Sequence, residues 1–407
     1  MYFQLGWRNI WRNRRRTLVI LTAVVIGVWS MICLGALMRG VADQMVRNGI
    51  STLTGHIQIH HKGYRNDPVI ENSITDPDAL EQVLARSLPG DALWAPRVRL
   101  NAIVSNARHS SSVTMVGIDP SKEGKISFIK DAVSQGRYLK ADDRYGIVVG
   151  EALLEDFETK LGRRMVLMAQ DVRQEVASRA FEIVGVFKAE LEATEKSYVF
   201  VTLPAAQEML TLKKGISEVA VLLSHQEEAR PVADALRGTL SSAHYEVQTW
   251  KELLPMVTAI LKMYDWFIFL WFLVIFIAMA FGIVNTTLMA VFERIREFGL
   301  LKALGMKPWW ILREVLTETF FLLVLGLLIG NSLGLLSAFA LSGTGIDLSA
   351  LAAGLEYVGM PRVIYPVIQS KDIVAANVVV FILGLLVSAY PAIKAARFTP
   401  VEALAYT

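Results

Sequence analysis

Four stretches of this sequence carry no charge and are each long enough to cross a bilayer. They are Thr17–Leu37 with 21 residues, Trp266–Phe292 with 27, Thr319–Ser342 with 24 and Ile373–Ile393 with 21. At about 1.5 Å per helical residue, each covers the roughly 30 Å hydrocarbon layer. The remaining sequence must be arranged around them. With 53% apolar and 19% charged residues, the chain is too apolar for an ordinary soluble protein and too charged for a bare helical bundle. The expected fold class is a membrane protein: four transmembrane α-helices, grouped one plus three, with a large extracytoplasmic α+β domain between the first and second.

Orientation follows from the basic residues flanking the spans. Arg8, Arg12, Arg14, Arg15 and Arg16 precede the first; Arg294, Arg296, Lys302, Lys307 and Arg313 lie between the second and third; Lys394 and Arg397 follow the fourth. The connection 343–372 carries only Arg362 and Lys371. Both termini are therefore expected in the cytoplasm. The expected segments are an amphipathic elbow at 1–16, a first span at 17–39, an extracytoplasmic (periplasmic) domain with stalk helices at 40–262 and a second span at 263–292. A coupling helix and loop at 293–314, a third span at 315–342, an external loop at 343–372, a fourth span at 373–393 and a cytoplasmic tail at 394–407 complete the series. The first span reads as a permanent anchor, since no small-x-small cleavage site follows it.

The stretch Val291–Val315 is a charged, helix-prone island between two spans. Glu293, Arg294, Arg296, Glu297 and Lys302 are expected to supply polar surface, and Ile295, Phe298, Leu301 and Leu304 an apolar stripe at helical spacing. Gly305 suits a helix C-terminus and Pro308 the first turn of the next helix. A short helix with such a stripe needs something to sit in, and a separate ATPase subunit is the expected seat.

In residues 1–16, Phe3, Trp7, Ile10 and Trp11 share one face and Arg8, Arg12 and Arg15 another, the pattern of a helix lying in the membrane interface. Beyond Arg39-Gly40 the helix is expected to continue to about Gly49. Strands are expected at His56–His60, Val113–Gly117, Ile147–Val149, Phe181–Phe187, Ser197–Val201, Glu218–Leu223 and Tyr245–Thr249. Helices are expected around Pro77–Ser87, Glu151–Leu161, Pro204–Leu212 and Gln226–Leu240. Thr249-x-x-Glu252 fits a capping box, and from Pro255 to Val291 nothing breaks a helix of about 55 Å. Gly326, Gly330 and Gly334 recur every four residues, which permits close helix contact. Leu348, Leu351, Leu355 and Val358 suggest a short helix in the external loop, and Val401–Tyr406 a last turn after Thr399-Pro400.

Several chemistries have no residues to support them. GxxxxGK[ST], GxSxG and HExxH do not occur. The lone Cys33 excludes an intrachain disulfide and a Cys-rich metal site and reads as a small lipid- or helix-facing residue. His56 and His60 would lie about 13 Å apart along one strand, which fits a solvated strand face rather than a metal site. Asp142, Asp143, Glu190, Glu192 and Glu195 read as solvated loops. Glu318, near one end, is almost alone as an ionisable group in the spans, which argues against a proton- or ion-coupled carrier. No catalytic site, metal site or nucleic-acid partner is expected.

The residues also carry a resemblance. Glu293-Arg294-x-Arg296-Glu297-Phe298-Gly299-Leu300-Leu301-Lys302-Ala303-Leu304-Gly305 resembles the ERxxExGxxxAxG signature of the MacB/FtsX-like permeases of ABC transporters. The tail Ala396-Arg397-x-x-Pro400-x-Glu402-Ala403-Leu404 and the opening LGWRNIWRNRRRT are similar to that family's ends. The resemblance implies a non-catalytic permease, a mechanotransmitter that docks through 293–305 onto a dimeric ABC ATPase. That partner would hold ATP and Mg; a second permease copy or paralogue would complete the transporter. The format, GHIQI at 55–59 and YPVI in the outer loop look more like the lipoprotein-releasing LolC/LolE type. That type implies a lipoprotein substrate, a periplasmic carrier and a place in the bacterial inner membrane. Export by a MacB-like tripartite pump and FtsX-like signalling to a cell-wall hydrolase stay open as alternatives. Extraction of an acylated protein would need apolar shelter, for which Leu34, Leu37, Met38, Met263, Trp266, Phe267 and Leu270 are candidates; the same residues would equally suit lipid-facing or dimer-packing positions.

Overall fold

The computed structural model describes residues 7–8, 11–347, 363–399 and 401. It divides into a helical unit and an α+β unit, the latter over Met45–Ala259. Among the described residues, four helices are long and apolar enough to cross a membrane. They run Arg14–Gly49, Pro255–Glu293, Pro308–Thr344 and Ser370–Arg397. The second, at 39 residues, is about 58 Å long. Its start is set by chemistry legible in the sequence. Thr249 and Glu252 form a reciprocal capping box for the turn Trp250–Leu253; the chain breaks at Leu254, and Pro255 opens the long helix.

Glycine sets the spacing within the helical unit. A Cβ on Gly326, Gly330 or Gly334 of the third helix would stand 2.5, 2.9 or 2.9 Å from Val24, Val28 or Ile32 of the first. Successive four-residue steps on one helix thus meet successive four-residue steps on the other. Gly384 of the fourth helix meets Leu323 of the third in the same way. Ile20, Met31, Phe272, Phe276, Ile283 and Val380 fill the space between the helices. A polar tie joins the third and fourth helices within this apolar unit: the amides of Asn331 and Asn377 donate to each other at 2.6 and 3.0 Å. Each also donates to the carbonyl four residues before it.

At the end of the unit remote from residues 293–314, Arg39 binds the Asp372 carboxylate through Nε and Nη2 at 2.7 and 3.1 Å, and Asp265 through Nη1 at 2.6 Å. The first, second and fourth helices are thereby tied. The segment after a small hairpin, Ile346–Asp347 with Val363–Ile364, lies across the first helix. Gln44 donates to the Val363 carbonyl, Val367 N–H donates to the Ala36 carbonyl, and the Tyr365 carbonyl rests against Gly40, where a Cβ would not fit. The helix expected over 348–358, the turn expected after Val401, and Phe3 and Ile10 of the elbow lie outside the described residues.

The α+β unit is built on a ten-stranded sheet. Its strands are β1 (Ile57–His61), β2 (Leu93–Ser105), β3 (Ser110–Ile118), β4 (Val133–Gly136) and β5 (Gly146–Gly150). They continue as β6 (Arg164–Gln170), β7 (Val176–Phe187), β8 (Tyr198–Thr202), β9 (Glu218–Leu222) and β10 (Tyr245–Thr249). The path β10-β1-β9-β2-β3-β8-β5-β7-β4 is closed on itself by β6, which pairs with both β7 and β2. Strands β2-β3-β8-β5-β7-β6 therefore form a six-membered ring of pairings. Alternate residues on these strands, among them Leu100, Val104, Met115, Val149, Leu167, Phe181 and Val201, form its core.

Four sequence expectations for this unit differ from the structure. Strands β2, β4 and β6 are additional to those expected. The helix expected over Glu151–Leu161 stops at Asp156, because Phe157 turns into the core and Glu158 adopts a positive φ of 45°. The histidines are not on a solvated face: β1 is paired on both sides, His56 and His60 are buried, and His56 Nδ1 accepts from the Leu223 N–H. Two of the supposed loop acids also have structural work. Glu195 is buried and accepts from the N–H groups of Ala152 and Ala189; Asp143 receives a two-pronged contact from Arg137.

At the start of the α+β unit the chain leaves the first long helix through a wider turn, Ile50–Thr54, in which Leu53 takes a positive φ of 81°. Arg97, wholly buried on β2, donates to the Leu53 carbonyl and pairs with Glu123 at 2.8 and 2.9 Å and with Glu218 at 3.2 Å. His60 stands 3.6 Å from Glu218 and stacks on Tyr64. A guanidinium this deep is tolerable only because carboxylates and a carbonyl meet its donors.

Candidate functional site

Residues 293–314 form a short helix, Ile295–Ala303, and the entry to the third span. The helix ends in a glycine motif. Gly305, at φ +97°, donates to the Lys302 carbonyl, and Met306 N–H donates to the Leu301 carbonyl. A side chain at Gly305 would be strained in that backbone conformation, which explains the glycine. Pro308 then starts the third span.

The helix is held from below by charge. Arg294 is 8% exposed. Its Nη1 donates to Glu318 at 2.7 Å, its Nη2 to Glu314 and its Nε to Glu297 at 3.1 Å. Burial works against its charged form, but Glu318 and Glu314 overcome this and hold the guanidinium above its ordinary value. Arg16 adds contacts at 3.9 Å to Glu293 and Glu318, and Arg12 reaches Glu297 at 3.2 Å. Burial also pushes Glu297 up, yet Arg294 and Arg12 prevail and keep its carboxyl below the ordinary range. From the other side Lys302 donates to the carbonyls of Ala396 and Phe398, which fixes the end of the fourth helix; its burial lowers the ammonium from its ordinary value.

This placement alters the expected division of labour. Arg294 is an internal clamp, not polar surface. Ile295, Phe298 and Gly299 are buried, Phe298 among Val291, Ile311, Val315, Ala392 and Ala395. Leu301 is half-buried. Half of the expected apolar stripe is therefore satisfied within the chain. The residues left outward include Leu300, at 55% exposed, Leu304, at 77%, and Trp309, with Glu293, Arg296 and Glu297 at the rim. Sequence reading missed the partners Arg16 and Glu314. Their signal was available: a basic residue just before one span and an acid four residues before Glu318, all near one membrane face.

The candidate shelter residues are split. Leu34, Leu37 and Met38 are half-buried, and Met38 packs on the helical core. Met263, Trp266, Phe267 and Leu270 stand out from the second helix. Phe269, Leu273, Val274, Ile277 and Phe281 extend that exposed apolar surface. Among the described residues, no three His, Cys, Asp or Glu side chains are grouped to hold a metal.

Comparison with known proteins agrees with this arrangement. Residues 17–239 match the MacB-like periplasmic core domain, and residues 268–400 match the FtsX-like permease C-terminal region. The chain belongs to the MacB/FtsX family of ABC transporter permeases. The lipoprotein-releasing system transmembrane protein LolC of Neisseria meningitidis serogroup B is 22% identical over 96% of this chain and 94% of its own length. LolE of Haemophilus influenzae is 22% identical, over 99% and 98%. The macrolide export ATP-binding/permease protein MacB of Marinobacter nauticus is 23% identical, over 98% of this chain and 59% of its own length. Four apolar helices, with a strand-rich domain between the first and second in sequence, are in keeping with the multi-pass transmembrane component of an ABC transporter.

Proposed function

We propose that this permease is a mechanotransmitter that couples ATP hydrolysis by a separate ATPase dimer to work on the far side of the membrane. The observation that carries the reading is the short helix Ile295–Ala303. Its base is clamped by Arg294 and Lys302, while Leu300 and Leu304 point away from the chain. A rigidly mounted helix with an outward apolar tip suits the receipt of a push. The orientation that goes with this reading places residues 293–314 and both termini in the cytoplasm, beside the ATPase that would hold ATP and Mg.

The work assigned is release of lipoproteins from the membrane. Burial of acyl chains is worth about 0.8 kcal/mol per methylene, so extraction needs driving energy and an apolar surface. The exposed row Met263, Trp266, Phe267 and Leu270 supports such a surface, shared with a second permease copy or paralogue. A periplasmic carrier would receive the cargo.

Two measurements test the reading. Leu304→Asp and Leu300→Asp, which touch only the exposed tip, should remove stimulated ATP turnover from a co-purified ATPase while the permease still inserts; full turnover in both ends the docking assignment. Depletion of the permease should stop lipoprotein release from spheroplasts. Unchanged release with new drug sensitivity would point to MacB-like export, and a cell-separation defect to FtsX-like signalling.

A further inference from the structure

At the end nearest residues 293–314, an open groove of about 550 Å3 lies between the third and fourth spanning helices. Its walls are Leu316 and Phe320 on the third helix and Ile382, Leu385 and Leu386 on the fourth. Phe320 stacks edge-on against Phe381 at 5.7 Å. On the third helix the lining begins at Arg313 and runs in to Phe320, about 10 Å along the axis. The walls are almost wholly apolar; the exception is Arg313 at the mouth, with Thr317 beside it.

Arg313 is set apart by its place at the mouth of this groove and by its stacking, while, like Arg14, Arg15 and Arg397, it meets no carboxylate among the described residues. Arg12, Arg16 and Arg294 each have a carboxylate. Among the described residues, the Arg313 guanidinium has none; it lies flat over the Trp309 ring at 3.3 Å. Stacking holds the planar cation at the membrane interface with its donors unspent, and tryptophan favours that depth. An open apolar groove, entered beside a guanidinium that meets no carboxylate, has the charge and lining to take a lipid with a negative headgroup. Arginine meets phosphate oxygens with paired donors, and basic pockets between spanning helices take anionic headgroups.

We propose that this groove is a binding site for one anionic glycerophospholipid of the leaflet that residues 293–314 face. The phosphate pairs with Arg313, and one acyl chain lies between the third and fourth helices against Phe320. A zwitterionic lipid would offer the same tail but cancel much of the headgroup's attraction, so the site selects for net negative charge. The inference is independent of what the permease transports.

The test is native mass spectrometry of the full chain purified in mild detergent, titrated with phosphatidylglycerol or phosphatidylcholine of matched chains. The wild type should retain one phosphatidylglycerol with about fivefold preference, the worth of one surface cation. Arg313→Gln should reduce that preference to near unity, and Arg313→Lys should keep part of it. Ala389→Trp, which fills the groove and leaves the charge, should remove the retained lipid. Equal retention of the two lipids by the wild type, or unchanged selectivity in Arg313→Gln, would overturn the proposal and leave only ordinary boundary lipid. Arg313 is exposed and unpaired, so its variants decide the matter even if Ala389→Trp does not insert.

Discussion

Gly330 of the third helix is packed so tightly on Val28 of the first that an added Cβ would stand 2.9 Å from the valine Cβ and 3.1 Å from the Val25 carbonyl oxygen. Valine and backbone cannot both retreat, so the two helices would have to separate. Gly330→Ala should destabilise the detergent-solubilised protein by about 1–3 kcal/mol, and Gly330→Leu should prevent accumulation of folded protein. Val28→Gly, which removes the Cβ that the new methyl meets, introduced with Gly330→Ala should recover part of the loss. Thermal unfolding of the single and double variants checks this; additive losses would mean that the contact is not the cause.

Arg294 and Glu318 make a second prediction. Removal of one member of a buried ion pair leaves the other charge uncompensated, at a cost of about 3–5 kcal/mol. Arg294→Met leaves Glu314 and Glu318 without their shared cation and should lower the unfolding midpoint sharply. Adding Glu318→Gln should restore part of the loss, because it removes a carboxylate left with only Arg16, at 3.9 Å. A midpoint for Arg294→Met equal to that of the wild type would rule the clamp out.

Glu218 gives a pH dependence. Burial would raise its carboxyl, but His60, Arg99 and Arg97 outweigh burial and hold it at about 2, below the ordinary 4.5. A folded-state value lowered in this way stabilises the protein fully above about pH 4.5, and the benefit is lost as the pH falls from there through about 2. The stability difference between wild type and Glu218→Gln should be on the order of 3 kcal/mol near neutrality. It should shrink steadily across that acid window. Denaturant titrations at a series of pH values measure it, and a difference that stays constant down to pH 2.5 contradicts the assignment.

Asn331 and Asn377 lend themselves to a double-mutant cycle. Either one changed to Leu strands the other amide in an apolar interior, at a cost of about 1–2 kcal/mol. The double Leu variant should lie close to the wild type, because both polar groups are gone together. If the two single losses simply add, the amides do not act as a pair.

Much of the helical unit was legible in the sequence, since lack of charge over 21 or more residues leaves few alternatives to a spanning helix. The Gly326-Gly330-Gly334 spacing and the Thr249–Glu252 cap were legible for the same reason: each is a local pattern with a single mechanical use. Strand β2 was harder to see. Its alternation Val98-Leu100-Ala102-Val104 points into the core, but Pro96, Arg97 and Arg99 interrupt the apolar pattern at its start. Arg97 could not be read as buried, because its carboxylates lie 26 and 121 residues away. The short helix Ile295–Ala303 was half legible. Its spacing predicted a stripe, but only the fold reveals that Phe298 spends its side of the stripe on Ile311 and Ala392.

The closure of the strands through β6 bears on how this domain would meet a load. An open sheet can be peeled, one row of hydrogen bonds at a time, from whichever border is tugged. A hoop of six strands has no such seam, so a tug at any point must be shared by several rows at once. Such a body is suited to being moved whole, and deformation would fall to the borders outside the hoop, β10-β1-β9 on one side and β4 on the other.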